Sequence, residues 1–167
     1  MVNDWGKPRL SEGLYFNISH SDEWAVVAME SNHEVGVDIE TGSLKLNLSE
    51  MEHVLSQAEL KEIGEREHDP SALLRLWVRK EAVLKALGKG VSYDPRQITI
   101  GFPQPDSKQW RRVQIVDGEE LTFQLIDIEL EGDRCCAVAL RCDNAPPYMP
   151  VVSRYSVKSN RSTSTMP

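Results

Sequence analysis

Cysteine is scarce in this chain: Cys135, Cys136 and Cys142 are the three in 167 residues. An odd number with two adjacent does not build a disulfide framework. No C-x-x-C pair or Cys/His cluster offers a zinc site, so the thiols read as buried or idle in a reducing compartment. Basic charge is also in deficit, with 19 Lys and Arg against 26 Asp and Glu and a net charge of -7. That is the wrong sign for broad nucleic-acid binding, which needs a basic face. No stretch approaches the roughly 20 apolar residues that cross a bilayer, so no membrane partner is expected. Residues 1–10 are polar and contain no apolar core of a secretory signal. These features together predict a cytoplasmic protein, and no internal repeat is visible.

What is present is an ordinary globular composition, 40% hydrophobic and 27% charged, long enough for one domain with a real core. Short apolar, β-prone runs predict strands at 14–18, 24–29 and 35–39, separated by polar turns. Helical spacing follows at 48–55. Ser56-Gln57-Ala58-Glu59 matches a capping box opening a helix to about residue 66. Asp69-Pro70 is the next start signal, and that helix should run to Leu87, with Gly88 as its left-handed cap. Its expected core stripe is Leu73, Leu76, Val83, Leu84 and Leu87. Strands are predicted again at 97–101, 111–116, 122–129 and 135–140, with Asp117-Gly118 and Gly132-Asp133 as turns. Residues 1–142 then form one α+β domain, a small and mainly antiparallel sheet packed with helices. Residues 143–167, rich in Pro, Ser, Thr and Asn, read as a disordered tail.

Three clusters carry chemistry. In Gly36-Val37-Asp38-Ile39-Glu40, strand alternation sends Asp38 and Glu40 to one face and Val37 and Ile39 to the core. Two carboxylates side by side repel unless solvated or bridged by a cation, and hard oxygen donors suit Mg²⁺. On the long helix, Trp77, Glu81 and Lys85 are spaced four apart and share one ridge. Glu81 and Lys85 are either a solvated ion pair, or a third metal ligand beside a lysine that neutralises phosphate. From Pro70 to Arg96 six basic residues stand against two acids, a local asymmetry that suits an anionic substrate or an acidic partner. In Phe16-Asn17-Ile18-Ser19-His20-Ser21, a histidine between two serines at a strand end offers donors to a phosphate or serves as turn chemistry.

In series, Gly6-Lys7-Pro8, F-N-x-S-H-S at 16–21, G-x-D-x-E at 36–40 and W-x-x-K-E-A-x-x-K-x-x-G-x-G at 77–90 resemble the Sfp-type 4′-phosphopantetheinyl transferases. The resemblance covers roughly residues 5–140. It implies transfer of 4′-phosphopantetheine from coenzyme A to a serine of an apo acyl or peptidyl carrier protein, with 3′,5′-ADP released. It further implies Mg²⁺ held by Asp38, Glu40 and Glu81. Ser19 and His20 would lie at a coenzyme A phosphate, and Gly6, Lys7 and Pro8 at the adenine and phosphate end. Lys85 would hold the diphosphate and the leaving group, and Trp77 would pack beneath the ridge. Glu59 matches a position proposed as the base for the carrier serine, a role its capping box explains equally well, and Glu81 is the rival base. Members of the family join two similar subdomains around a cleft, and nearly all of the first is expected to be missing here. A lost segment, a homo-oligomer whose neighbour completes the cleft, and a catalytically silent domain that still binds Mg²⁺ and coenzyme A all remain open. In each case the face toward the missing subdomain should be apolar.

Overall fold

The computed structural model describes residues 2–10, 13–65, 70–102, 109–146 and 148–155. Its strands are β1 (Tyr15–Ser21), β2 (Trp24–Glu30), β3 (Val35–Thr41), β4 (Arg111–Asp117), β5 (Glu119–Asp127) and β6 (Arg134–Arg141). Its helices are α1 (Leu48–Met51), α2 (Gln57–Glu65) and α3 (Pro70–Leu87). The class is α+β, and every strand pair is antiparallel. The strands divide into a β1–β2 hairpin and a four-stranded sheet in the order β3-β6-β5-β4.

The helix α3 lies across one face of the larger sheet. Val78, Ala82, Val83 and Ala86 pack there against Val113, Phe123, Leu125, Ala137 and Ala139. On the opposite face Val37, Ile39 and Cys136 are covered by Trp24, Val26 and Ala28 of the hairpin. The other flank of α3 packs Leu73 and Leu76 against Met51, Leu55 and Phe102. Four residues of the expected stripe are buried and Leu87 is half-buried, but burial is wider than one stripe, taking in Ala72, Leu74, Val78, Ala82 and Ala86. A helix enclosed on several sides buries more than an amphipathic face.

Three positions depart from the expectation; the first is the helix expected over 48–55, which ends at Met51 and continues as turns. Residues 97–101 are not a strand. Asp94 caps a 3-10 turn, Pro95–Gln97, by accepting from the Arg96 N–H at 3.0 Å. The β-prone run after it bonds to side chains in place of a neighbouring strand: Lys80 Nζ donates to the carbonyls of Pro95 (3.0 Å) and Ile98, and Glu59 accepts the Ile100 N–H at 2.9 Å. The basic run on α3 is also less exposed than its sequence suggests. Arg79 and Lys80 are fully buried, Arg79 bidentate on Asp127 and Lys80 on Glu59 at 2.8 Å.

After β6 the chain stays irregular but engaged. Trp110 Nε1 donates to the Tyr148 carbonyl at 3.0 Å, Tyr148 Oη to Glu30 at 2.9 Å, and Arg154 Nη1 to Glu131 at 2.7 Å. The helix-start signal at Asp69, the end of the second helix at residue 66 and the last part of the predicted tail, 156–167, lie outside the described residues.

Candidate active site

The register of β1 against β3 builds the site floor. Asn17, Ser19 and Ser21 alternate on one face of β1, and their oxygens accept the N–H groups of Val37 (3.0 Å), Ile39 (3.4 Å) and Thr41 (3.3 Å). Side chains here replace a backbone ladder at the edge of β3, two residues apart on both strands. Two of the three also reach the carboxylates. Ser19 Oγ donates to Asp38 Oδ1 and Ser21 Oγ to Glu40 Oε2, both at 2.7 Å. The N-x-S-x-S alternation could have signalled this positioning role, which the phosphate reading of the motif overlooked.

α3 forms the wall. It approaches β3 over Gly36, where a Cβ would lie 2.1 Å from the Ala82 carbonyl oxygen. That contact brings the Trp77–Glu81–Lys85 ridge over Asp38 and Glu40. The resulting cleft, about 260 Å³, is lined by Ile18, Ser19, His20, Asp38, Glu40, Trp77, Glu81 and Lys85. Six of the residues assigned from sequence thus come together: Ser19, His20, Asp38, Glu40, Glu81 and Lys85.

Gly6, Lys7, Pro8 and Glu59 do not line it. Lys7 is buried, and its ammonium donates to Glu34 (2.8 Å) and the Val35 carbonyl (2.9 Å), with the Ala86 carbonyl at 3.5 Å. It ties the end of α3 to the start of β3, where a cation favours the helix C-terminus. Burial pushes its ammonium below the ordinary lysine range, with Glu34 opposing. Gly6 holds φ at +86° in the turn before it, and Pro8 bridges back to Val2.

Glu59 has no exposed surface, and its carboxylate is fully committed. One oxygen takes the Ser56 N–H and Lys80 Nζ, each at 2.8 Å; the other takes the Ile100 N–H at 2.9 Å. The capping box is real and is extended by a buried ion pair. Removing one partner of such a pair strands a charge, so Glu59→Ala should cost about 3–5 kcal/mol in urea unfolding. Adding Lys80→Met should recover part of that loss.

Within the cleft the electrostatics are strained. Asp38 is buried; its Oδ1 accepts from Ser19 and from Lys85 Nζ at 2.5 Å, while Oδ2 is buried with no hydrogen-bond partner. Burial raises the Asp38 carboxyl above its usual range, and Lys85 and Ser19 only partly offset this. Glu81 is raised as well, first by burial and then by the negative charges of Asp38 and Glu40, with Lys85 opposing. Three carboxylates and one lysine line the cleft, and one buried oxygen lacks any donor. The donor set, all hard oxygen, fits a divalent cation such as Mg²⁺. Among the described residues no three acidic, histidine or cysteine side chains are already gathered as a metal cage; Lys85 meets Asp38 instead.

Residues 34–139 match the model of the 4′-phosphopantetheinyl transferase superfamily. The chain is 33% identical over 141 residues to 4′-phosphopantetheinyl transferase gsp of Aneurinibacillus migulanus, covering 83% of this chain and 56% of that protein. It is 28% identical over 160 residues to the L-aminoadipate-semialdehyde dehydrogenase-phosphopantetheinyl transferase of Xenopus laevis (81% and 51%), and 27% over 130 residues to 4′-phosphopantetheinyl transferase Sfp of Bacillus subtilis (70% and 57%). The chain spans about half the length of the curated relatives it matches. The matched span runs from Glu34, just before β3, to Ala139 in β6 and holds the three carboxylates and Lys85, so the chain belongs to the 4′-phosphopantetheinyl transferase superfamily.

Proposed function

We propose that this chain carries the catalytic face for moving 4′-phosphopantetheine from coenzyme A to a serine of an apo carrier protein, with 3′,5′-ADP as the leaving group. The observation that supports this reading most is the convergence of Asp38, Glu40, Glu81, Lys85 and His20 on one cleft. Asp38, Glu40 and Glu81 would hold Mg²⁺, which supplies charge neutralisation at the diphosphate when bound. Lys85 offsets negative charge on the departing phosphate, and His20 with its exposed ring meets a second phosphate of coenzyme A. The serine oxygen bonds to the β-phosphorus, the bond from that phosphorus to 3′,5′-ADP breaks, and the serine proton passes to a carboxylate.

Glu81 is our candidate for that base. It lies in the cleft on the helix wall beside Lys85, where a carboxylate is placed to take the serine proton. Glu59 is enclosed, and its lone pairs are used. Glu81→Gln should lower kcat about 10²–10⁴-fold, the usual share of a general base. Rate measurements on the purified variant check it.

The deciding experiment incubates the chain with coenzyme A, Mg²⁺ and an apo carrier protein and weighs the carrier by mass spectrometry. A gain of one phosphopantetheine supports the proposal. An unmodified carrier, with coenzyme A still bound by the chain, indicates a silent binding domain. The outer face of the hairpin beside the cleft exposes Ile18, Val27 and Met29, at 52%, 52% and 68%. We propose that a second subdomain or a second copy covers this apolar face. The chain by itself should then be weakly active and prone to associate; a monodisperse monomer with full turnover would count against this. Three free thiols suit work in the cytoplasm, where coenzyme A is available.

A further inference from the structure

One cation in the cleft stands where another is needed. Lys85 Nζ lies 2.5 Å from Asp38 Oδ1 and 3.1 Å from Ser19 Oγ, while Ser19 Oγ itself donates to the same carboxylate oxygen at 2.7 Å. Ser19 is buried and also accepts the Ile39 N–H at 3.4 Å, so it is a fixed point that steers both partners. Asp38 Oδ2, the other oxygen, has no partner. The lysine side chain is 28% exposed, so its ammonium has room to leave.

A lysine ammonium in contact with a carboxylate and a divalent cation bound to that same carboxylate would put like charges within a few ångströms, in a site partly shielded from water. Coulomb repulsion between the two cations offsets most of what the lysine gains from the shared acid, and the divalent cation, with twice the charge, keeps the larger share. We infer that Lys85 is a built-in counter-ion for Asp38 and leaves it when a divalent cation enters with a diphosphate ester. A divalent cation replaces a monovalent one on Asp38. Lys85 covers Oδ1 and Oδ2 is buried, so the cation gains Asp38 as the half-exposed lysine withdraws, and the released ammonium turns to the phosphates. This rests on the metal and diphosphate assignment proposed above. Two consequences follow. The chain by itself binds a divalent cation weakly, because Lys85 competes for the ligand. Coenzyme A and the cation also strengthen each other's binding, since the diphosphate gives Lys85 a new partner, and such coupling is reciprocal.

The test uses Mn²⁺ as probe on the full chain, with free Mn²⁺ read by electron paramagnetic resonance and protein-bound Mn²⁺ by water-proton relaxation, with and without coenzyme A and with no carrier present. Without coenzyme A, Lys85→Met should bind Mn²⁺ at least about tenfold more tightly than the unaltered chain. Lys85→Arg, which keeps the charge, should bind it as weakly as the unaltered chain. Adding coenzyme A should tighten Mn²⁺ binding about tenfold in the unaltered chain and less than about threefold in Lys85→Met. Far-UV circular dichroism confirms that both variants fold. A lysine with a merely structural role would leave these affinities unchanged. Equal or weaker Mn²⁺ binding by Lys85→Met overturns the inference while leaving the metal assignment standing. No Mn²⁺ binding by any of the proteins, with or without coenzyme A, overturns both.

Discussion

Replacing Gly36 with alanine should lower the stability of this protein by about 3 kcal/mol, at the upper end of what overpacking costs. A Cβ at that position would sit 2.1 Å from the Ala82 carbonyl oxygen, 2.3 Å from the Ala86 nitrogen and 2.9 Å from the Lys85 carbonyl carbon. All three are backbone atoms of α3, so no side chain can rotate away to make room. The helix must lift from β3, and the contact it surrenders is part of the central core. The same displacement carries Glu81 and Lys85 away from Asp38 and Glu40, so the variant should lose activity even where it remains folded. Urea unfolding at constant slope measures the first effect, since a midpoint change at constant m is a stability change. A midpoint equal to that of the unaltered protein would show that α3 is not seated on Gly36.

Asp38→Asn should lower carrier modification about a thousandfold, yet leave the fold intact. The size is that of losing one preorganised charge-stabilising group from a phosphoryl-transfer site. The stability argument comes from the raised carboxyl of Asp38. In the folded protein it holds its proton more tightly than in the unfolded chain, where it titrates near the ordinary value of 3.8. Between the unfolded and folded values folding takes up a proton, so stability falls as pH rises through that window, and the deficit persists above it. Asparagine has no such charge to desolvate. Without added metal, the melting temperature of Asp38→Asn relative to the unaltered protein should therefore rise from pH 4 to pH 7. Melting curves across that range test it. A relative melting temperature that falls instead would mean that the Lys85 ion pair outweighs the burial of Asp38.

Much of the site was legible because it depends on local periodicity. The D-x-E spacing sends Asp38 and Glu40 to one side of a strand in any fold that keeps the strand. The four-residue spacing of Trp77, Glu81 and Lys85 does the same on a helix. Ser56 and Glu59 form their capping box within one turn. Illegible were the partners supplied from far along the chain. Lys80 looks like a surface cation until Glu59, 21 positions earlier, is folded onto it. Arg79 looks solvated until Asp127 arrives from β5. Lys7 reads as a ligand contact, but Glu34 and two backbone carbonyls claim its ammonium. The I-T-I run after Gln97 has strand propensity, and propensity loses to tertiary hydrogen bonds when buried side chains satisfy the backbone first.

The chain's own order of residues determined its α+β class, the faces on which its acids and its helix ridge point, and the family it resembles, since each depends on spacing over a few residues. Only the folded structure decided which of its charges line a cleft and which are paired inside the core. Glu59, Lys7, Arg79 and Lys80 carry the same formal charges as the residues of the cleft, but they are desolvated and paired within the core. Asp38, Glu40, Glu81 and Lys85 are left facing a cavity, and that difference arises from long-range packing, which no local pattern encodes.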